Sequence, residues 1–312
     1  MYVCRERAPG VTPQLTRTCT EQRHASNALA VYWTVKAGGV PDSQIILMIA
    51  DNYACNTRNV HRGTVFDNPS HEVQLYEDIE VDFHGAEVTV ENFLAVLSGR
   101  HPPGTPRNRR LATDEHSNVL LYMTGHGGDG FLKFRDTTDI GGPDLADAVA
   151  LMREQGRFNE LLFIADTCQA ATLFREFNTS GVVAVGSADK GENSYSFQHD
   201  SELGNTVSDR FTHKTLDYFR HKRTGSLQDL FSSYTFNALG SNAKWKSWLS
   251  RSLHKVPLSD FFSATPRATT AAASDRSVED ALDVVVVAPA HVRAVNMTAW
   301  PSASSFQWLQ CK

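Results

Sequence analysis

Long apolar runs are what this chain most plainly lacks. Its two strongest, residues 45–50 and 284–288, fall far short of the roughly 18 residues that would cross a bilayer. The first ten residues, MYVCRERAPG, have no apolar core of the kind a secretory signal carries. Both absences point to a soluble chain. Cysteine is sparse: Cys4, Cys19, Cys55, Cys168 and Cys311 are too few for a disulfide scaffold in 312 residues and include no CxxC pair of the zinc-binding type. Their odd number leaves at least one thiol unpaired or paired outside the chain. Basic charge is not in excess either, because 30 Lys and Arg stand against 35 Asp and Glu, a net charge of −5. Nucleic-acid binding needs concentrated cations, so no such partner is expected. The one basic stretch, residues 100–110 (RHPPGTPRNRR), is broken by Pro and Gly and reads as a solvated loop.

What is present is enough apolar material for a full core: 41% hydrophobic and 21% charged residues make a globular chain. Residues 1–22 show no periodicity and no useful strand. Residues 24–37 put Leu29, Tyr32, Trp33 and Lys36 at helical spacing and stop at Gly38-Gly39, which predicts a helix. Residues 44–51 (QIILMIAD) are a strand buried on both faces, and residues 88–99 a helix stopped by glycine. Further strands are expected in the apolar run 118–131, at 161–166 and at 182–187, with a hairpin-like excursion over 131–140. Helices are expected at 143–154, after Cys168, at 209–222 and at 226–237, and a short strand over 256–261 closes the sheet edge. Helices alternating with strands imply βαβ units and an α/β fold with a mostly parallel sheet covered on both faces. Residues 263–274 (SATPRATTAAAS) read as a low-complexity linker, and residues 278–312 as an appendage with one β-like run, VVVVA.

Two of these strands end in reactive groups. Residues 118–131 (NVLLYMTGHGGDGF) deliver His126 and residues 161–171 (LLFIADTCQAA) deliver Cys168, each at a carboxyl end, where open α/β sheets place their sites. A helix N-terminus and an imidazole would together lower the Cys168 pKa. The chemistry that follows is nucleophilic catalysis, with Cys168 forming an acyl intermediate, His126 moving the proton, and the N–H groups of Gly127 and Cys168 forming an oxyanion hole. A buried, inert cysteine is the alternative that composition alone leaves open.

The blocks YMTGHGGDGFLKF (122–134) and NELLFIADTCQA (159–170) resemble the two catalytic blocks of the GPI transamidase catalytic subunits, in the legumain branch of the caspase-like cysteine peptidases. The resemblance extends through VPDSQIILMIADNYACNTRN (40–59), EVDFHGAEVTVENFLAVLSGR (80–100) and DRFT (209–212). It covers about 23–262, and so divides the chain into a lead-in at 1–22, a catalytic domain at 23–262 and an appendage at 263–312.

That family implies a caspase-like three-layer fold and a transamidation: cleavage of a protein near its C-terminus and transfer of the new carbonyl to the ethanolamine amine of a GPI lipid. The resemblance further implies that Ser194 and Asp209 line the substrate site. In the same way, Asp42, Glu80, Asp82 and the Ile45 carbonyl match a structural calcium site, and Cys55 a disulfide to another subunit. No organic cofactor is expected. The implied partners are the other transamidase subunits, the proprotein signal peptide and the GPI lipid. The implied place is the lumenal side of the endoplasmic reticulum, where Asn178 and Asn296, each opening a sequon, could be glycosylated. Two departures stand out: Glu21 occupies a position where the family has Asn, and residues 1–20 contain no strand comparable to the family's first. A soluble legumain-like endopeptidase and a non-catalytic subunit are the other readings the sequence allows.

Overall fold

The computed structural model describes residues 21–264, except 58, 135–137 and 223, together with residues 282–288. The lead-in and most of the linker and appendage, Asn296 included, lie outside the described residues.

The described residues begin with α1 (Glu21–Ala37) and enter the sheet at β1 (Ile45–Ile49), all five residues of which are buried. A long loop leads to the two-residue β2 (Phe83–His84) and then to α2 (Val90–Ser98). That helix starts where it does because the Thr89 side chain accepts a hydrogen bond from the Asn92 N–H at 3.1 Å. It stops at Gly99, whose φ of 69° is the left-handed turn glycine adopts without strain. Next come β3 (Asn118–Thr124) and a three-stranded excursion of β4 (Gly127–Gly128), β5 (Phe131–Lys133) and β6 (Asp139–Gly141), where the hairpin was expected. Helix α3 (Gly142–Glu154) leads to β7 (Glu160–Asp166), and β8 (Val182–Gly186) follows. A separate hairpin, β9 (Ser196–Asp200) and β10 (Asn205–Asp209), runs into α4 (Arg210–His221). The chain continues through α5 (Leu227–Ser232), α6 (Phe236–Leu239), β11 (Lys244–Ser247), α7 (Ser259–Phe262) and finally β12 (Leu282–Ala288).

The central sheet has the order β11-β8-β7-β3-β12-β1-β2. Every neighbouring pair is parallel except β11 on β8. Alternation along the strands sorts side chains onto two faces. Leu47, Leu120, Leu162, Val183 and Val286 pack with α1, α4 and α5. Met48, Leu121, Phe163, Ala184 and Val285 pack with α2 and α3 on the other side. The result is the expected three-layer α/β fold with a mostly parallel sheet.

Three expectations need correction. No α-helix follows Cys168; residues 170–172 make a single 3-10 turn. Residues 256–261 are not a strand, because Ser226 touches Pro257 only through an isolated bridge and Ser259–Phe262 is helical; the antiparallel β11 closes that edge instead. The β-like run of the appendage is the middle of the sheet: Ile45 pairs with Val284 on one side, and Leu120 with Val284 on the other. Val285 and Val286 are wholly buried, one on each face, so this run occupies an interior position of the sheet with a dry face on either side.

Candidate active site

The site is built at the carboxyl ends of β3 and β7. These strands run in register, with Thr124 opposite Asp166, and the Gly125 N–H donates to the Asp166 carbonyl at 3.3 Å. His126 and Cys168 each lie two residues past that last pair, so adjacent strands carry them to the same rim. The loops are held close there. A Cβ on Gly127 would stand 2.5 Å from the Thr167 hydroxyl oxygen, a distance only glycine allows. Immediately after Cys168 the chain reverses through Gln169, whose φ of 55° is left-handed for a residue with a side chain. The Gln169 N–H, donating to the Glu192 carbonyl at 2.9 Å, and the Gln169 side-chain oxygen, accepting from the Gly191 N–H at 2.9 Å, hold that turn. Cys168 and His126 are both partly exposed, and the cysteine is a free thiol.

Beneath them lies a buried polar network that the sequence reading did not assemble. The Asp166 carboxylate accepts from the Ser194 hydroxyl at 2.7 Å and from the Thr212 hydroxyl at 2.6 Å and backbone N–H at 3.2 Å. Thr212 also meets the Tyr122 hydroxyl at 2.6 Å. Asp209 accepts from the Asn27 amide at 2.6 Å, pairs with the Arg23 guanidinium at 3.2 Å, and lies 3.5 Å from the His24 imidazole. His24 in turn meets His126 edge to face, with ring centroids 5.0 Å apart. The helix α1 therefore supplies Arg23, His24 and Asn27 to one corner of the cleft. In the sequence, Asp166 was legible only as a carboxylate closing an otherwise apolar strand, and Ser194 and Asp209 only through the family resemblance.

Burial governs the electrostatics. It pushes the Asp166 carboxyl up to about 6, with nearby Asp209 adding to the effect and the bonds from Thr212 and Ser194 opposing it. Asp209 is likewise raised by burial, against the pull of Arg23, Asn27 and His126. The Cys168 thiol is also raised: burial leads, Asp209 and Asp166 add to it, and a backbone hydrogen bond from Ser194 and the charge of Arg23 only partly offset it. This reverses the expected direction: burial of the thiol dominates, two buried carboxylates add to it from below, and the helix whose N-terminus was to favour the thiolate is absent.

Of the remaining expected residues, Asp209 is 2% exposed and faces the network. Ser194 is partly exposed, but its hydroxyl is turned inward to Asp166. Cys55, expected to form a disulfide to another subunit, is disulfide-bonded.

The acidic cluster assembles only in part. Asp42 is held by the Lys36 ammonium and the Tyr32 hydroxyl. Glu80 and Asp82 each accept from the Asn108 amide at 3.0 Å, and Asp82 also accepts from the Leu47 N–H at 2.9 Å. Burial, with Glu80 nearby, pushes the Asp82 carboxyl up to about 7. Hard oxygen donors that repel one another suit a cation such as calcium; Asp42 would first have to leave Lys36. Among the described residues no helix is long and apolar enough to cross a membrane.

A free thiol and an imidazole at neighbouring strand ends of a parallel sheet place the molecule in the class of cysteine-peptidase-like α/β proteins. A family model described as the Peptidase C13 family matches residues 17–265, and the chain belongs to that family. It is 48% identical over 245 residues to the GPI-anchor transamidase of Saccharomyces cerevisiae, covering 77% of this chain and 60% of that one. It is 46% identical over 246 residues to the enzyme of that name from Schizosaccharomyces pombe, with 77% and 65% covered. The human one is 48% identical over 213 residues, with 67% and 54% covered. The chain thus spans less than two thirds of the length of each of these relatives. Among solved structures, caspase-1 from Spodoptera frugiperda shows a slight likeness, with a TM-score of 0.33 and 15% identity over 52% of this chain and 68% of that one.

Proposed function

We propose that this chain carries out the thiol chemistry of GPI-anchor attachment. The observation that carries the reading is the paired strand ends, which set Cys168 and His126 on one rim with Gly127 packed against Thr167. Because burial keeps the Cys168 thiol protonated at rest, His126 takes its proton as the sulfur attacks the carbonyl at the cleavage site. The N–H groups of Gly127 and Cys168 would receive the developing oxyanion. His126 then gives its proton to the leaving amine, and the C-terminal signal peptide departs, leaving a thioester on Cys168. The ethanolamine amine of the GPI lipid attacks that thioester, loses a proton to His126, and the thiol is released. Asp166, Asp209, Arg23 and Asn27 sit below as a positioning layer, and Ser194 shapes the rim through its backbone and through its bond to Asp166.

The location and partners follow from the same reading: the lumenal side of the endoplasmic reticulum, other transamidase subunits, a proprotein signal and the GPI lipid. The disulfide at Cys55 fits an oxidising compartment. A calcium ion at Asp42, Ile45, Glu80 and Asp82 is retained as a structural element of this proposal.

The test is replacement of Cys168 by Ala, and separately of His126 by Ala, in cells relying on the variant. GPI-anchored surface proteins should disappear; if they persist with the Cys168 variant, the reading fails. Supplying hydroxylamine separates transfer from hydrolysis: a hydroxamate product supports the transamidase, whereas release of free acid without partner subunits supports a legumain-like endopeptidase.

A further inference from the structure

Away from the cleft, two histidines and a glutamate meet although 141 residues separate His61 from Glu202. The His61 Nε2 and Glu202 Oε2 atoms are 3.0 Å apart, and the His61 and His71 ring centroids are 4.5 Å apart. One potential ligand atom from each of His61, His71 and Glu202 lies within 4.8 Å of the others, and among the described residues this is the one group of metal-ligand type that does so.

The surroundings fix these groups. Phe66 lies beside both rings, 4.7 Å from that of His71 and 5.8 Å from that of His61. The His61 N–H donates to the Asn59 side chain at 3.0 Å, and the His61 carbonyl accepts from the Thr64 hydroxyl at 2.6 Å. His71 sits at a left-handed φ of 55°, and its Nε2 meets Asp200. Asp200 is 1% exposed. Its other oxygen accepts from the backbone N–H groups of Glu202 at 2.9 Å and Leu203 at 3.1 Å, which fixes the carboxylate in place. A buried carboxylate gripping one imidazole is the arrangement that orients histidine ligands toward a metal.

We infer that His61, His71 and Glu202 form a zinc site, with Asp200 as the outer partner of His71. Two imidazoles and a carboxylate are a zinc donor set, and three protein ligands leave a fourth position for water. Tetrahedral zinc with bonds of about 2 Å holds its ligand atoms about 3.3 Å apart, close to the spacing already present between His61 and Glu202. The ion would fasten the tip of the β9–β10 hairpin to the loop after β1. Ser194, just before that hairpin, and Asp209, its last residue, belong to the network under Cys168. The inference does not depend on which reaction the cleft performs.

The experiment titrates zinc into the full chain carrying Cys168→Ala, so that the free thiol cannot compete, and follows heat release and thermal melting. One zinc per chain should bind and raise the melting temperature by about 5 °C at a hundredfold excess over Kd. Binding should be lost in His61→Ala and His71→Ala and weakened at least about tenfold in Glu202→Gln, the loss of one ligand from three. Cobalt in place of zinc should give the visible absorption of a tetrahedral site. Calcium should not displace it. Metal-free melting curves show whether each variant is folded, and the exposed Glu202→Gln serves as the variant least able to disturb folding. No saturable zinc binding, or binding that His61→Ala and Glu202→Gln leave unchanged, overturns the assignment.

Discussion

The sheet has two halves, joined only through β12. On one side β3, β7 and β8 follow one another in space nearly as in sequence and carry the thiol, the imidazole and the buried network. On the other side β1 and β2 carry the acidic cluster, and they reach β3 only through a strand supplied from residues 282–288. Both β7 and β12 are apolar runs with two buried faces. What differs is how each is tied to its place: β7 is flanked closely by α3 and by the turn at Gln169, whereas β12 is reached only after the low-complexity stretch that begins at residue 263. Among the described residues, pairing with β1 and β3 and burial of Val285 and Val286 hold β12 in place. A strand's composition thus specifies that it will be buried, while its neighbours in the sheet are decided by which gap remains open.

The largest effect should come from deleting residues 282–288. With no strand between them, β1 and β3 lose their shared hydrogen-bond ladder, and the apolar faces at Leu47 and Leu120 open to water. Unpaired backbone groups in such a slot cost more than the fold can spare. The expected outcome is loss of a cooperative thermal transition. A variant that melts as the parent does would show that the two halves hold together without β12.

A finer comparison uses one buried side chain from each strand. Leu162 on β7 and Val286 on β12 lie on the same face of the sheet and are both wholly buried. Leu162→Ala should cost about 2–5 kcal/mol, and Val286→Ala about 2, the removed methyls and the residual cavity both counting. The measurement is urea denaturation of each variant. A Val286→Ala value near zero, with Leu162→Ala at full cost, would mean that β12 fills its slot without being packed there.

The same contrast governs what could be read from sequence. Strand ends bearing His126 and Cys168 were legible, because an apolar run followed by glycines or by Asp-Thr-Cys is a local signal. The network was not, since Asn27 and Asp209 are 182 residues apart and nothing in either segment names the other. Neither was the direction of the Cys168 shift, which depends first on burial of the thiol, then on two carboxylates beneath it, where the expected helix proved to be one 3-10 turn. His61 and Glu202 were invisible for the same reason as Asn27 and Asp209. The VVVVA run was legible as β-like, but its place was not: a stretch of valines carries no information about its partners beyond the need for two dry faces.

The smallest effect, and the one that separates the halves electrostatically, is in the pH dependence. Each half holds a carboxyl raised by burial, Asp166 to about 6 and Asp82 to about 7. A carboxyl whose folded pKa exceeds its unfolded one favours the folded state while protonated. Its contribution is fully present below the unfolded pKa, about 4, and is lost as pH rises through the folded value. Without calcium, the stability of the parent relative to Asp82→Asn should therefore fall between about pH 4 and about pH 7. Denaturation across that range, in chelator and then in calcium, reads the difference. Calcium requires the ionised carboxylates, so it should lift the parent at the upper end of the window and leave Asp82→Asn little changed. For Asp166→Asn the difference from the parent should be the same with or without calcium, because the bonds from Ser194 and Thr212 already satisfy that carboxyl from within the chain. A calcium response that survives in Asp82→Asn would remove the ion from this half, and the low Asp42 carboxyl beside Lys36 would then stand as an ordinary ion pair.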